Sequence, residues 1–345
     1  MMKAVVLESI GDVSGFKLKE VAKPAPNRNE VRIRIKAAGF NPVDTKLRAG
    51  AYEPKVPIIL GADCSGVIDA VGEDFHEFSV GDEVMAIVFG QGSGGTYAEY
   101  VCVPRSFVVH KPKNISFEQA ATVPLVSLTA YRACIWSGAL QEGRAAFIAG
   151  GTGAVGNIAI QLAQIYKAGP IFTTAGNEEG DRLLMDHFGI TKKHILNYTG
   201  LNVEQMKEKL LEMNRQELFP ATIDLVGGKM KELCFAVVDF SGHVATILPE
   251  TKGFPIELWA RGESISFAKS LSVHFIFVGA EAFAGPPKSW NHYRQQLSYL
   301  AKLIENGELR IFEPEVVGHL SRETVVNAHQ KIDHGKAKSK LVMVI

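Results

Sequence analysis

The sequence predicts an α/β fold in which an irregular β domain accompanies a doubly wound parallel sheet, and three observations carry that prediction. Residues 1–125 hold short β signals (KAVVLE, EVRIRIKAAGF, GADCSGVIDAVG, GDEVMAIV, YAEYVCVP) separated by Gly, Pro and Asn. From Ala145 the texture changes to strand signals alternating with helical periodicity, the mark of a parallel sheet with helices on both faces. At the first alternation the run AAFIAGGTGAVGNIAIQLAQ (145–164) passes from an apolar strand through a glycine-rich turn into an amphipathic helix, the pattern of a dinucleotide clamp. With 345 residues the chain exceeds one compact core and suits two domains with a cleft between them.

Each element follows from local chemistry. Val31-Arg32-Ile33-Arg34-Ile35 alternates apolar and charged residues, as in a half-solvated antiparallel strand of a barrel or sandwich. Ser116-Phe117-Glu118-Gln119 is a capping-box pattern that opens a helix running to Ala133, kinked or divided at Pro124. Strands of the parallel sheet are predicted at 145–149, 171–174, 194–198, 221–226, 243–248 and 272–278. Helices are predicted at 181–188, stopped by Gly189, and at 203–214, 229–238 and 290–306. From Gly307 the chain returns to β-like segments (316–317, 340–345) around a helix over 323–334, too little for a third domain. One domain is therefore expected over 1–125, completed by 307–345, and a nucleotide-binding domain over 126–306.

In the clamp, Gly151 is expected to allow the tight turn, Gly153 to let the backbone approach a pyrophosphate, and Gly156 to let the helix pack on the strand. Thr152, Ala154 and Val155 complete the run, whose unpaired N–H groups at a helix N-terminus favour an anion. A glycine turn that binds nothing is the plainer alternative, and the flanking strands and helix weigh against it. The second strand ends Thr174-Ala175-Gly176, without the acidic residue that accepts from a ribose 2′-OH. That leaves room for a 2′-phosphate and favours NADPH, with NADH still open. The following Asn177-Glu178-Glu179-Gly180 supplies no cation for the phosphate, Arg182 being the nearest, and its glutamates equally suit a helix start.

Lysine plus arginine (37) balances aspartate plus glutamate (37), which gives no reason to expect nucleic acid or an anionic membrane as a partner. No apolar stretch nears membrane-spanning length and the chain opens directly into a strand signal, so a cytoplasmic location is expected. The four cysteines (Cys64, Cys102, Cys134, Cys234) are far apart with no C-x-x-C, against both a disulfide framework and a zinc ribbon. The ten histidines include no i, i+4 pair.

Runs from end to end carry a further signal: AAGFNPVDTKLRAGAY (37–52), ILGADCSGVIDAVG (59–72), FSVGDEVMA (78–86), GGTYAEYVCVP (94–104), LTAYRA (128–133), IDLVGG (223–228) and GKAKSKLVMVI (335–345). Together they resemble the markers of the medium-chain dehydrogenase/reductase superfamily. The resemblance implies a GroES-like β-barrel interrupted by a Rossmann domain. Similar alcohol dehydrogenases carry a catalytic Cys where Asn41 stands and a His–Glu pair where Ala62-Asp63 stands, and they insert a four-cysteine lobe that is absent here. Asn41 and Ala62 are poor zinc ligands, so the resemblance is to the zinc-free branch of zeta-crystallin-type quinone oxidoreductases, with no metal expected. It implies hydride transfer from NADPH to a quinone or α,β-unsaturated carbonyl, where the developing charge is delocalised and hydrogen-bond donors serve in place of a Lewis acid. The alternatives are an enoyl-thioester or haloacrylate-type reductase and a low-turnover NADPH-binding protein.

The same resemblance places Asn41 near the nicotinamide ribose or the acceptor, against a bare turn-capping role before Pro42. Tyr52 matches a tyrosine proposed as proton donor in enoyl reductases, against simple packing. Asp44 orients Asn41 or Lys46, or forms a surface ion pair. Thr129 and Tyr131 resemble residues lining the nicotinamide pocket, and Tyr198 a tyrosine that contacts the 2′-phosphate. Phe277, grouped with the cofactor residues, opens a segment (277–290) that looks like one wall of the acceptor pocket. A homodimer is expected, by analogy with the branch and because strand 272–278 would otherwise expose an apolar edge.

Overall fold

The computed structural model describes residues 1–73, 77–90, 94–249, 254, 256 and 264–345. The chain forms two compact units, Met1–Leu125 with Gly279–Ile345, and Val126–Val278.

The first unit is built on the long strand Glu30–Gly39, which pairs antiparallel with Asp63–Val71, Tyr100–Pro104 and Leu341–Val344. The alternation seen in the sequence sets its faces: Ile33 and Ile35 are buried, while Arg32 turns outward to an ion pair with Asp69 at 2.7 Å. A smaller antiparallel sheet joins Met2–Leu7 to Phe16–Val21 and Ile58–Ile59. The helix Asn291–Glu305 also belongs here, which corrects the domain boundary expected at 307. Its Tyr293 is fully buried, with its ring 5.3 Å from Phe89 and 5.0 Å from Phe107. Periodicity announces a helix but not the surface that receives it, so the unit resumes at Gly279.

The second unit carries one six-stranded parallel sheet in the spatial order Ile195–Asn197, Ile171–Ala175, Ala146–Ala149, Phe219–Asp224, Val238–Thr246, Ser272–Phe275. Numbered along the chain this is 3-2-1-4-5-6, the doubly wound order whose reversal beside the first strand opens a ligand-binding crevice at the strands' carboxyl ends. One face is sealed by Phe147, Phe172, Phe219, Leu210, Leu233 and Val244. The helix Glu178–Phe188 begins at Asn177, whose side chain accepts from the Gly180 amide, and ends at Gly189 in the left-handed region (φ 64°). Its acidic first turn puts Glu178 and Glu179 to the helix-start use foreseen as the alternative. The Ser116–Gln119 capping box forms, and Pro124 divides the expected helix into Phe117–Ala120 and Pro124–Tyr131. The last strand stops at Phe275, short of the expected 278, and leaves the outer edge of the sheet with Phe275 and Phe277 exposed. Among the described residues no helix is long and apolar enough to cross a membrane.

Candidate functional site

The nucleotide-side residues lie in the second unit. At the turn after Ala146–Ala149 it is Gly150, not Gly151, that takes the left-handed backbone (φ 88°), a correction to the expected division of labour. Gly151 is required by contact instead: a Cβ there would fall 2.2 Å from Thr173 Oγ1. Gly156 is required likewise, its Cβ position lying 2.1 Å from the Gly150 carbonyl oxygen, so helix and strand meet as closely as expected. Gly153 differs. A Cβ there would meet only the Gly150 oxygen at 3.4 Å, an ordinary contact, so nothing in the protein alone demands glycine at this position. It is the N-cap of the helix Ala154–Ile165 and supplies no side-chain cap, which leaves the first-turn amides beside Thr152, Ala154 and Val155 open to an anion.

Thr174 is buried and its Oγ1 accepts from the Gly150 amide at 2.9 Å, so it braces the glycine turn from behind. At the end of the same strand the Tyr198 hydroxyl stands over Gly176, 2.8 Å from where a Cβ would be. Tyr198 then borders a cavity of about 700 Å³ whose walls include Thr199, Asn202, Gln205, Val226 and Lys229. Asp224 shapes that wall, since its Oδ1 accepts from the amides of Val226 (3.0 Å) and Gly227 (2.7 Å). The exposed Lys229 is a cation the sequence reading missed, because strand order, not sequence distance, brings it into the same cavity as Tyr198. Thr129 is buried on the helix Pro124–Tyr131, and Phe277 is exposed beyond the edge strand.

The acceptor-side candidates lie in the first unit. Asn41 caps the helix Pro42–Arg48 in a capping box with Asp44, the turn-capping role weighed above, yet it also does more. Its side chain is fully enclosed: Nδ2 donates to Asp63 Oδ2 at 2.9 Å, and Oδ1 accepts from the Lys340 ammonium. Lys340 also donates to the Phe40 carbonyl (2.9 Å) and stands 3.8 Å from Asp63 Oδ2, while Asp63 Oδ1 accepts from the Leu125 amide at 2.9 Å. Asp44 is buried and accepts from the Asn41 backbone amide at 2.8 Å, so it serves Asn41 and forms no surface ion pair. Burial, with Asp63 adding to it, pushes the Asp44 carboxyl up to about 7 against the hydrogen bond from Asn41 and the charge of Lys340. Burial also raises Asp63 and lowers Lys340, each countered by the other's charge. The Tyr97 hydroxyl faces Asp44 and lies 3.3 Å from His329 Nε2.

Tyr52 differs from this buried cluster in its exposure. It is 62% exposed and lies in the left-handed region (φ 62°), as does Glu53 (φ 49°), a backbone state that bulky side chains rarely adopt. Among the described residues no group of three or more His, Cys, Asp or Glu stands together in a way that could hold a metal ion.

Comparison with known proteins accords with this architecture. Residues 27–113 match the alcohol dehydrogenase GroES-like domain family, and residues 192–343 match the zinc-binding dehydrogenase family. Human quinone oxidoreductase is 28% identical over 350 residues, covering 100% of this chain and 98% of that protein. The crystal structure of an alcohol dehydrogenase superfamily protein from Novosphingobium aromaticivorans superposes with a TM-score of 0.84 at 25% identity, covering both chains fully. The quinone oxidoreductase from Coxiella burnetii superposes with a TM-score of 0.78 at 26% identity, over 100% of this chain and 99% of that one.

Proposed function

The chain belongs to the medium-chain dehydrogenase/reductase superfamily of oxidoreductases, and from that premise we propose that it is an NADPH-dependent reductase passing hydride to a quinone or an α,β-unsaturated carbonyl without zinc. The observation that carries the cofactor half is Gly153, a glycine with no steric cause in the protein and a clear one if a pyrophosphate lies against it. The amides of Ala154 and Val155 would hold the pyrophosphate, and Tyr198 with Lys229 the 2′-phosphate. Bound NADPH supplies the hydride. Thr129 and Phe277 remain candidates for the nicotinamide side.

Similarity to human quinone oxidoreductase along the whole chain supports the acceptor class. Asn41 and Tyr52 are the proposed acceptor-side pair. An exposed phenol on a strained loop suits delivery of a proton to an enolate, whereas a reduced quinone takes its protons from water. The zinc-free reading rests on Asn41 and Ala62, whose side chains offer no thiolate, imidazole or carboxylate, although one matching family takes its name from zinc. The decisive experiment follows NADPH and NADH oxidation against quinones, enones and enoyl thioesters, with metal analysis of untagged protein. Turnover of quinones or enones with NADPH, at far below one zinc per chain, is expected. Turnover confined to enoyl thioesters favours the thioester reductase, cofactor binding without turnover favours the low-turnover binding protein, and stoichiometric zinc overturns the branch.

A further inference from the structure

The Asn41 amide is gripped between two opposite charges. An ammonium has only protons to offer and a carboxylate only lone pairs, so an amide bound to Lys340 through Oδ1 and to Asp63 through Nδ2 has one allowed orientation. Flipping it would set the N–H groups against the ammonium and the carbonyl against the carboxylate. Asp63 cannot swing away to release it, because its other oxygen is held by the Leu125 amide and its side chain is fully buried. Lys340 is anchored as well, by the Phe40 carbonyl. Two donors and one carbonyl make up the Asn41 side chain, and after these bonds one Nδ2–H is left uncommitted.

We propose that Lys340 and Asp63 are positioning residues for the reductase reaction, fixing the Asn41 amide so that its remaining N–H is held in one direction and polarised by the ammonium on its own carbonyl. Cooperative polarisation along a chain of hydrogen bonds makes such an N–H a stronger donor than a free amide. The proposal rests on the reductase reading above. It also explains a residue that no turn or strand needs: Lys340 precedes the strand Leu341–Val344, where its ammonium loses solvation and gains these three acceptors. The other titratable groups facing the cluster are Asp44, Tyr97 and Cys64, with His329 reached through Tyr97.

The test compares Lys340→Met, Lys340→Arg, Asp63→Asn and the double variant Asp63→Asn/Lys340→Met, each as full-length protein saturated with NADPH. Lys340→Met should lower kcat about tenfold or more with NADPH affinity within about twofold, and Lys340→Arg should recover part of the loss. The double variant is balanced in charge and should restore the thermal midpoint without restoring kcat, since an amide at 63 both donates and accepts and selects no orientation. Full recovery of kcat in the double variant would reduce the pair to charge compensation and overturn the proposal. A second readout is independent of turnover. In protein labelled with ¹⁵N-asparagine, the Asn41 side-chain protons, assigned by their loss in Asn41→Ala, should exchange slowly and should exchange about tenfold faster or more in Lys340→Met. Unchanged exchange means that Lys340 does not hold the amide. If the wild type reduces none of the acceptors, the functional reading fails while this exchange measurement still decides the positioning.

Discussion

At the scale of single residues, the glycines of the nucleotide turn separate by cause. Gly156→Ala forces a methyl to 2.1 Å from a backbone oxygen and should lower the unfolding midpoint clearly. Gly153→Asp has room for its Cβ in the protein and should leave thermal unfolding nearly unchanged while abolishing cofactor titration, because its carboxylate would meet a pyrophosphate. Equal destabilisation by both changes would make Gly153 a folding glycine. Asp44 gives a second residue-level expectation. Its carboxyl, pushed up to about 7 by burial, keeps a proton that the unfolded chain releases near 3.8. The stability from that group is therefore complete at low pH and is lost as pH rises through about 7. Asp44→Asn cannot ionise, so its thermal midpoint relative to wild type should rise between about pH 5 and pH 8; a constant difference would show that Asp44 is ionised throughout. The glycine run and Asn41 were legible from the sequence because each is local. Lys340 was visible only inside a marker run, since its bond to Asn41 spans 299 positions and no local pattern encodes the pairing.

Elements were read well where their signals are chemical. The Ser116 capping box, the break at Pro124 and the stop at Gly189 all form where the residues require them. Gly189 occupies the left-handed region, so Gly189→Ala should cost ~1 kcal/mol, read as a shift of the urea midpoint at constant slope. No shift would mean that the helix end re-forms elsewhere without penalty. Strand limits were less legible, because hydrogen-bonding partners, not propensity, set where a strand begins. Val238–Thr246 starts well before the expected 243, with Val238 already paired to Phe219, and the edge strand ends sooner than its apolar run suggests.

At the scale of the whole molecule, the parallel sheet was legible from the alternation of elements, whereas the second boundary was not. The aromatic contacts that draw the helix Asn291–Glu305 to the first unit join residues far apart in the chain. The edge strand Ser272–Phe275, with Phe275 exposed, is where we propose that the expected homodimer pairs. Light scattering at micromolar concentration should give twice the mass of one chain, and Phe275→Asp should shift it toward one; a monomeric wild type would overturn the dimer. The division of the chain also sets an order in time. The second unit is continuous from Val126 to Val278, whereas the strand Leu341–Val344 must pair with Glu30–Gly39 to finish the first. On the ribosome the parallel sheet can therefore close while the earlier-made unit still waits for its last strand. Until Lys340 emerges, Asp63 has no ammonium beside it, so a residue made late in the chain neutralises a buried carboxylate made early.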